Sequence, residues 1–289
     1  MAKGRELKSR IKTVENTRKI TRTMEMVAAS KMKRAADRVS SARPYALALA
    51  DVLAHFNTPE LAEQFPMMRT PMSERRAAIV IITANRGLCG GFNTNILREA
   101  RARIAELEGR GVEVELHVVG KKGIGFFKYL GRFMAEQRSD IGDKPTSADA
   151  ATLIDDLADR YASGAVDAVY VTYAKYQSAL STPPTTEQVL PLVSPKGKTG
   201  GMRNDFILEP SGEAILKALL PLYIRNMLYR ALVETSAGEQ GARRTAMKNA
   251  TDNATDMLQL LRRTYNSARQ AQITQEIAEI VGGASALQA

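Results

Sequence analysis

The residues best placed to do chemistry lie in Thr83-Ala-Asn-Arg-Gly-Leu-Cys-Gly-Gly-Phe-Asn93, a glycine-rich turn between a β-branched run and a helical pattern. A strand, a glycine turn and a helix N-terminus together cradle phosphate in nucleotide-binding folds, because unpaired N–H groups there point at the anion. This turn contains neither Gly-x-Gly-x-x-Gly nor Gly-x-x-x-x-Gly-Lys-[Ser/Thr], and no lysine follows its glycines to reach a phosphate. A tight structural turn is the expectation, with a phosphate site as the alternative. Gly120-Lys-Lys-Gly-Ile-Gly125 also lacks P-loop spacing and reads as a strand-to-helix turn with solvated lysines.

Nucleophilic and metal chemistry are poorly provided for. Cys89 is the single cysteine, and neither His55 nor His117 lies on an element that obviously brings it near. A catalytic thiol needs a base to lower its pKa, so Cys89 is expected to be a small structural residue. One cysteine and two histidines make no persuasive zinc set, and no paired-carboxylate or triad pattern stands out. No catalytic residue, cofactor or metal is expected. A lone cysteine also rules out an internal disulfide, which suits a reducing compartment.

Charge is unevenly placed. Of the net +10, residues 1–43 hold 13 Lys and Arg against 4 Asp and Glu. Residues 44–212 hold 19 against 20, and residues 213–289 hold 9 against 7. Such a basic first segment attracts an acidic partner surface, nucleic acid or an anionic membrane. No aromatic residue interleaves its cations before Tyr45, so a nucleic-acid reading rests on phosphate attraction alone, and a solvated helical face is the plainer one. No apolar run approaches the roughly 18 residues of a membrane span. The first ten residues lack the apolar core of a secretory signal, so the mature protein is expected to begin here, in the cytosol.

The elements around these residues fall into regions of different periodicity. From Lys3 to about Phe56, apolar residues at three- and four-residue steps (Leu7, Ile11, Val14, Ile20, Met24, Val27 among them) predict a long amphipathic helix. Pro44 either ends it or kinks it. Residues 57–74, with Pro59, Pro66 and Pro71, read as a linker. In the α/β region, 75–212, the runs Ala77–Thr83, Val112–Val119 and Val166–Tyr173 read as strands. Helices are expected over about Asn93–Glu108 and Ser147–Tyr161. Strands separated by helices suggest a parallel sheet, and residues 194–204 read as a loop.

From Glu213 a helical pattern runs to about Val281, with Ala250, Ala254, Met257, Leu261, Tyr265 and Ala268 on one stripe and Ile273, Ile277 and Ile280 extending it. Pro221 is expected to kink it, and Gly282-Gly283 to stop it. At 1.5 Å per residue the two terminal helices reach about 80 and about 100 Å, too long for one compact domain. Two such helices with apolar stripes most simply wrap around each other antiparallel.

The terminal helices carry a specific resemblance. Ile11-Lys-Thr-Val-Glu-Asn-Thr-Arg-Lys-Ile-Thr-Arg-Thr-Met-Glu-Met-Val-Ala-Ala-Ser-Lys-Met32 closely resembles the N-terminal helix of gamma subunits of the rotary F-type ATP synthase. Ala246–Ala254 and Tyr265–Ala284 resemble that family's C-terminal signature, and Asn85-Arg-Gly-Leu-Cys-Gly90 resembles its motif after the first central strand. The match covers essentially the whole chain in order. It implies an α/β fold in which a long antiparallel coiled coil of the N- and C-terminal helices is attached to a Rossmann-like α/β domain. The domains are then the N-terminal helix 1–56, linker 57–74, α/β domain 75–212 and C-terminal helix 213–289.

The resemblance also implies a function: a non-catalytic central rotor shaft that couples proton-driven rotation of a membrane c-ring to conformational change at catalytic beta subunits. Partners are then the alpha and beta subunits, the epsilon subunit and the c-ring, with one copy of this chain and no cofactor. Its place is peripheral, on the cytoplasmic face of a bacterial inner membrane. By the same resemblance Arg269 and Gln270 match a catch that hydrogen-bonds a beta-subunit loop. Arg243, Thr274 and Glu276 match coupling positions, and Met24 matches a residue facing an acidic segment of beta. Helical spacing alone also makes Met24 a seam residue, and Arg269 and Gln270 solvated ones. Ile277, Ile280, Val281 and Leu287 would form an apolar bearing. The chain lacks the inserted cysteine pair of chloroplast gamma subunits, so thiol switching by that route is excluded. The alternative is a basic coiled-coil nucleic-acid-binding protein.

Overall fold

The computed structural model describes residues 2–55, 65–69, 71–178, 181–192 and 212–288, with side chains of the terminal helices described from 5 to 53 and from 214 to 281. Phe56, most of the expected linker and the expected loop 194–204 lie outside these residues, as does the side chain of Leu287. The elements are α1 (Ala2–His55), a 3-10 turn (Pro66–Met68), β1 (Arg76–Ile82), α2 (Phe92–Gly109), β2 (Glu113–Val119), α3 (Lys121–Tyr129), β3 (Glu136–Arg138), α4 (Ser147–Ala162), β4 (Ala168–Ala174), β5 (Pro184–Leu190) and α5 (Gly212–Gln288).

Both terminal helices run further than their breaker residues suggest. α1 passes through Pro44, and α5 passes through Pro221 and through Gly282-Gly283, where a stop is expected. Two glycines cost a helix about 1 kcal/mol each against alanine, which does not end it. The threonines of α1 fit because their hydroxyls bond back along the helix, Thr13 to the Ser9 carbonyl at 3.2 Å and Thr23 to that of Lys19 at 3.0 Å.

The chain divides into two compact units, residues 1–28 with 244–289, and residues 29–243. In the first, α1 and α5 pair antiparallel: Thr251 donates to Thr21 across the seam at 2.8 Å, and Arg262 meets Glu15 at 2.5 Å, later on α5 but earlier on α1. Thr21, Ala28, Met247, Thr251, Ala254 and Leu258 are the buried seam positions. The seam is displaced by one residue from the expected stripe at three places: Ile20 is 60% exposed, and Val27 and Met257 also face outward. Small residues let two helix backbones approach where an isoleucine would hold them apart, so Thr21 and Ala28 take the contact.

The second unit is a five-stranded sheet ordered β3-β2-β1-β4-β5, parallel except for β5, which runs antiparallel to β4. β1 is buried on both faces because helices cover both. Ala77, Ile79 and Ile81 pack with Phe92, Ile96 and Leu107 of α2. Ala78, Val80 and Ile82 face Leu153, Ile154 and Leu157 of α4 and Ile224, Leu228 and Leu232 of α5. α4 starts on a capping box, the Thr146 hydroxyl accepting from the Asp149 N–H while the Asp149 carboxylate accepts from the Thr146 N–H. α1 enters this unit through Ala35 and Val39, which pack on Val233 and Ala237 of α5.

Candidate functional site

The glycine turn is closed by its own neighbours. Asn85 donates from Nδ2 to the Ile141 carbonyl at 2.8 Å and accepts the Lys121 N–H at 3.0 Å. The Lys122 N–H donates to the Ala84 carbonyl at 3.1 Å, and that of Gly123 to the Thr83 hydroxyl at 2.9 Å. The first N–H groups of α3, the helix that follows Gly120, therefore already have acceptors. Gly120 is required there: with φ at +98°, a β-carbon would lie 2.2 Å from the Thr83 carbonyl oxygen. Cys89 is buried, and burial pushes its thiol above the ordinary value despite the opposing pull of Arg243. It contacts Asn93 and the Arg86 carbonyl. His117 sits elsewhere, between the carboxylates of Glu115 at 2.9 Å and Glu136 at 3.1 Å. Arg160 grips Glu115 in turn with two bonds of 2.8 and 2.6 Å.

Doubly wound sheets bind ligands in the crevice outside the carboxyl ends of the strands, at the switch point of strand order. Here that point lies between β1 and β4, and α5 fills it. The space left, lined by Ile82, Thr83, Val119, Leu232, Thr235 and Glu239, is about 30 Å³. Every residue from Ala231 to Gly241 is buried. Gly238 makes the approach possible, since a β-carbon there would press within 3.2 Å of Phe92 and Thr182. Polar groups of α5 take up backbone groups at the strand ends. Glu234 accepts the Tyr176 N–H at 3.0 Å, Thr235 that of Ala174 at 3.4 Å, and Ser236 donates to the Asp143 carbonyl at 2.9 Å. No room remains for a nucleotide in this crevice. Among the described residues no group of three or more His, Cys, Asp or Glu could hold a metal ion.

Arg243, one of the expected coupling residues, belongs to this buried set. Its guanidinium donates to Glu239 at 2.6 Å and to the Gly87 carbonyl at 3.2 Å, tying α5 to the glycine turn. Burial raises the Glu239 carboxyl above its ordinary value, with Arg243 opposing. The remaining expected residues lie in the helix-pair unit. Met24 is half-buried beside the seam. Arg269, Gln270, Thr274 and Glu276 are exposed on α5, with Gln272 donating to Glu276 at 2.9 Å. From Ile273 to Val281 every residue is exposed, including Ile277, Val281 and Ile280, the last 72% so. The structure thus gathers the residues expected to form the catch and the bearing on the last turns of one helix.

Sequence reasoning missed Glu234, Glu239 and Gln240 as buried polar residues, and the Lys31–Asp143 ion pair at 2.6 Å. One signal was available. Ser236, Ala237, Gly238 and Gly241 put four small residues within two turns of a helix, which marks a close approach of other atoms.

A family model described as ATP synthase matches residues 3–287. The ATP synthase gamma chain of Gemmatimonas aurantiaca is 70% identical over 289 residues, covering 100% of both chains. That of Leptospira biflexa is 45% identical over 288 residues, covering 99% of this chain and 100% of its own. Among solved structures, the central stalk and c-ring of the Tetrahymena thermophila mitochondrial ATP synthase holds a similar chain, 25% identical with a TM-score of 0.59, covering 80% of this chain and 99% of that one. A chain in the Euglena gracilis mitochondrial ATP synthase, OSCP/F1/c-ring in rotational state 3, shares the fold at 20% identity and a TM-score of 0.68, covering 99% and 95%.

Proposed function

Because the chain belongs to the ATP synthase gamma-chain family, we propose that it works as the central rotor shaft of a proton-translocating ATP synthase, coupling c-ring rotation to the catalytic beta subunits. The observation that carries the physical reading is the antiparallel helix pair with unlike outer sides. At helical spacing Lys19, Arg22 and Met26 share one outer side and Ile20 and Val27 another, and α5 adds Met257 and Leu260. A partner shifts a conformational equilibrium only when it binds the two states differently. A shaft with chemically different sides presses differently on three identical beta subunits, and turning it permutes their nucleotide affinities. Proton flow turns it for synthesis, and hydrolysis turns it back.

The chain itself is non-catalytic on this reading, which the filled crevice supports. Its partners are the alpha and beta subunits, epsilon and the c-ring, and its place is peripheral, on the cytoplasmic face of a bacterial inner membrane. No described helix is long and apolar enough to cross a membrane. The nucleic-acid alternative gains no support, since the relatives are gamma chains. The division into an N-terminal helix (1–56), linker (57–74), α/β domain (75–212) and C-terminal helix (213–289) belongs to the same proposal.

Within it, Arg269 and Gln270 act as the catch, Thr274 and Glu276 as coupling contacts, and Met24 as a contact to beta. Arg243 acts from inside, by fixing the glycine turn to α5. The exposed Ile277, Ile280 and Val281, with Leu287, turn as a bearing against apolar walls. The test is a complex reconstituted from this chain with alpha and beta subunits. Arg269→Ala with Gln270→Ala is expected to lower its ATPase several-fold while sedimentation still shows an intact complex. Full activity in that double variant removes the catch assignment.

A further inference from the structure

A second cavity, about 120 Å³, opens within the α/β unit between α1, the loop before α4, and α5. It is lined by Lys31, Arg34 and Arg38 of α1, Asp143 and Lys144 of the loop, and Gln240 of α5. Four cations meet one carboxylate, and that carboxylate is already paired with Lys31 at 2.6 Å. Arg34 is held by Ser30. Among the described residues Arg38 and Lys144 have no side-chain partner. Gln240 is 2% exposed, and its Nε2 has no acceptor. Gln240 lines the cavity, but its Nε2 is sealed from it, so the four cations and the single carboxylate set the character of the site.

We propose that this cavity binds a small tetrahedral oxyanion, a phosphate. Its roughly two negative charges match the two unpaired cations. The space is ample for a phosphoryl group. The anion is free phosphate or the terminal phosphate of a nucleotide. Once bound it joins α1, the 143–144 loop and α5, all within one unit. This inference is independent of the coupling reading.

Calorimetric titration of the full-length chain with inorganic phosphate at fixed ionic strength, with chloride and ADP as separate arms, tests it. Saturable binding at one site is expected, weakened about tenfold or more in R38A/K144A, which removes two charge-assisted bonds. ADP competing for the same site shows that a nucleotide's terminal phosphate also enters, and ADP failing to compete assigns free phosphate. Binding that does not saturate, that chloride reproduces as an adventitious ion only, or that R38A/K144A leaves unchanged overturns the proposal.

Discussion

Arg243 and Glu239 show how a single buried pair can be read through protons. Glu239 is held above its ordinary value of 4.5 mainly because burial disfavours the carboxylate, and the 2.6 Å bond from Arg243 offsets only part of that. Below 4.5 the folded and unfolded chains are both protonated at this position and no slope arises. Above it the unfolded chain releases a proton that the native chain still holds, so stability falls as pH rises through the raised folded value. Glu239→Gln cannot titrate yet keeps an oxygen for Arg243. Its Tm, followed from about pH 5 to about pH 8, should lack that fall relative to the parent. Parallel curves for the two proteins would remove the assignment. None of this was legible beforehand. Arg243 bonds a carbonyl 156 positions away, at Gly87, and no spacing rule reaches that far.

At the scale of elements, local pattern worked where one face or both faces are apolar over several residues. β1, β2, β4, α2 and α4 lie within about two residues of their expected bounds, because β-branched runs and 3.6-residue stripes carry their own period. β5 escaped notice because Pro184-Thr-Thr-Glu-Gln-Val-Leu190 is half-buried and largely polar, its place fixed by pairing with β4. β3 is three residues long and has no period to detect. The terminal seam was legible in period, and in phase at Ala254, but slips by one residue at Ile20, Val27 and Met257. Leu258, 2% exposed, carries the contact, while its neighbour Met257 is 53% exposed. Leu258→Ala should therefore cost about 2–5 kcal/mol of local stability, and Met257→Ala less than about 0.5 kcal/mol. Hydrogen exchange over residues 244–272 of the full chain separates them, since only the first should speed exchange there. Equal protection in both variants would place the seam elsewhere.

Across the whole molecule, a nucleotide-type scaffold is kept while the place a nucleotide would occupy is taken by the chain's own α5. Isolated protein should hydrolyse no ATP and bind no adenosine in a filter or calorimetric assay, and should support hydrolysis once alpha and beta subunits are added. Turnover by the chain alone would contradict the filled crevice. The order of synthesis adds a further constraint. The sheet is complete at Leu190, but Ile224, Leu228 and Leu232, which cover Val80, Val169 and Val171, are translated later. A nascent chain released or stalled before residue 212 therefore carries an uncovered greasy sheet face. Such fragments are the species on which chaperones and proteases are expected to act.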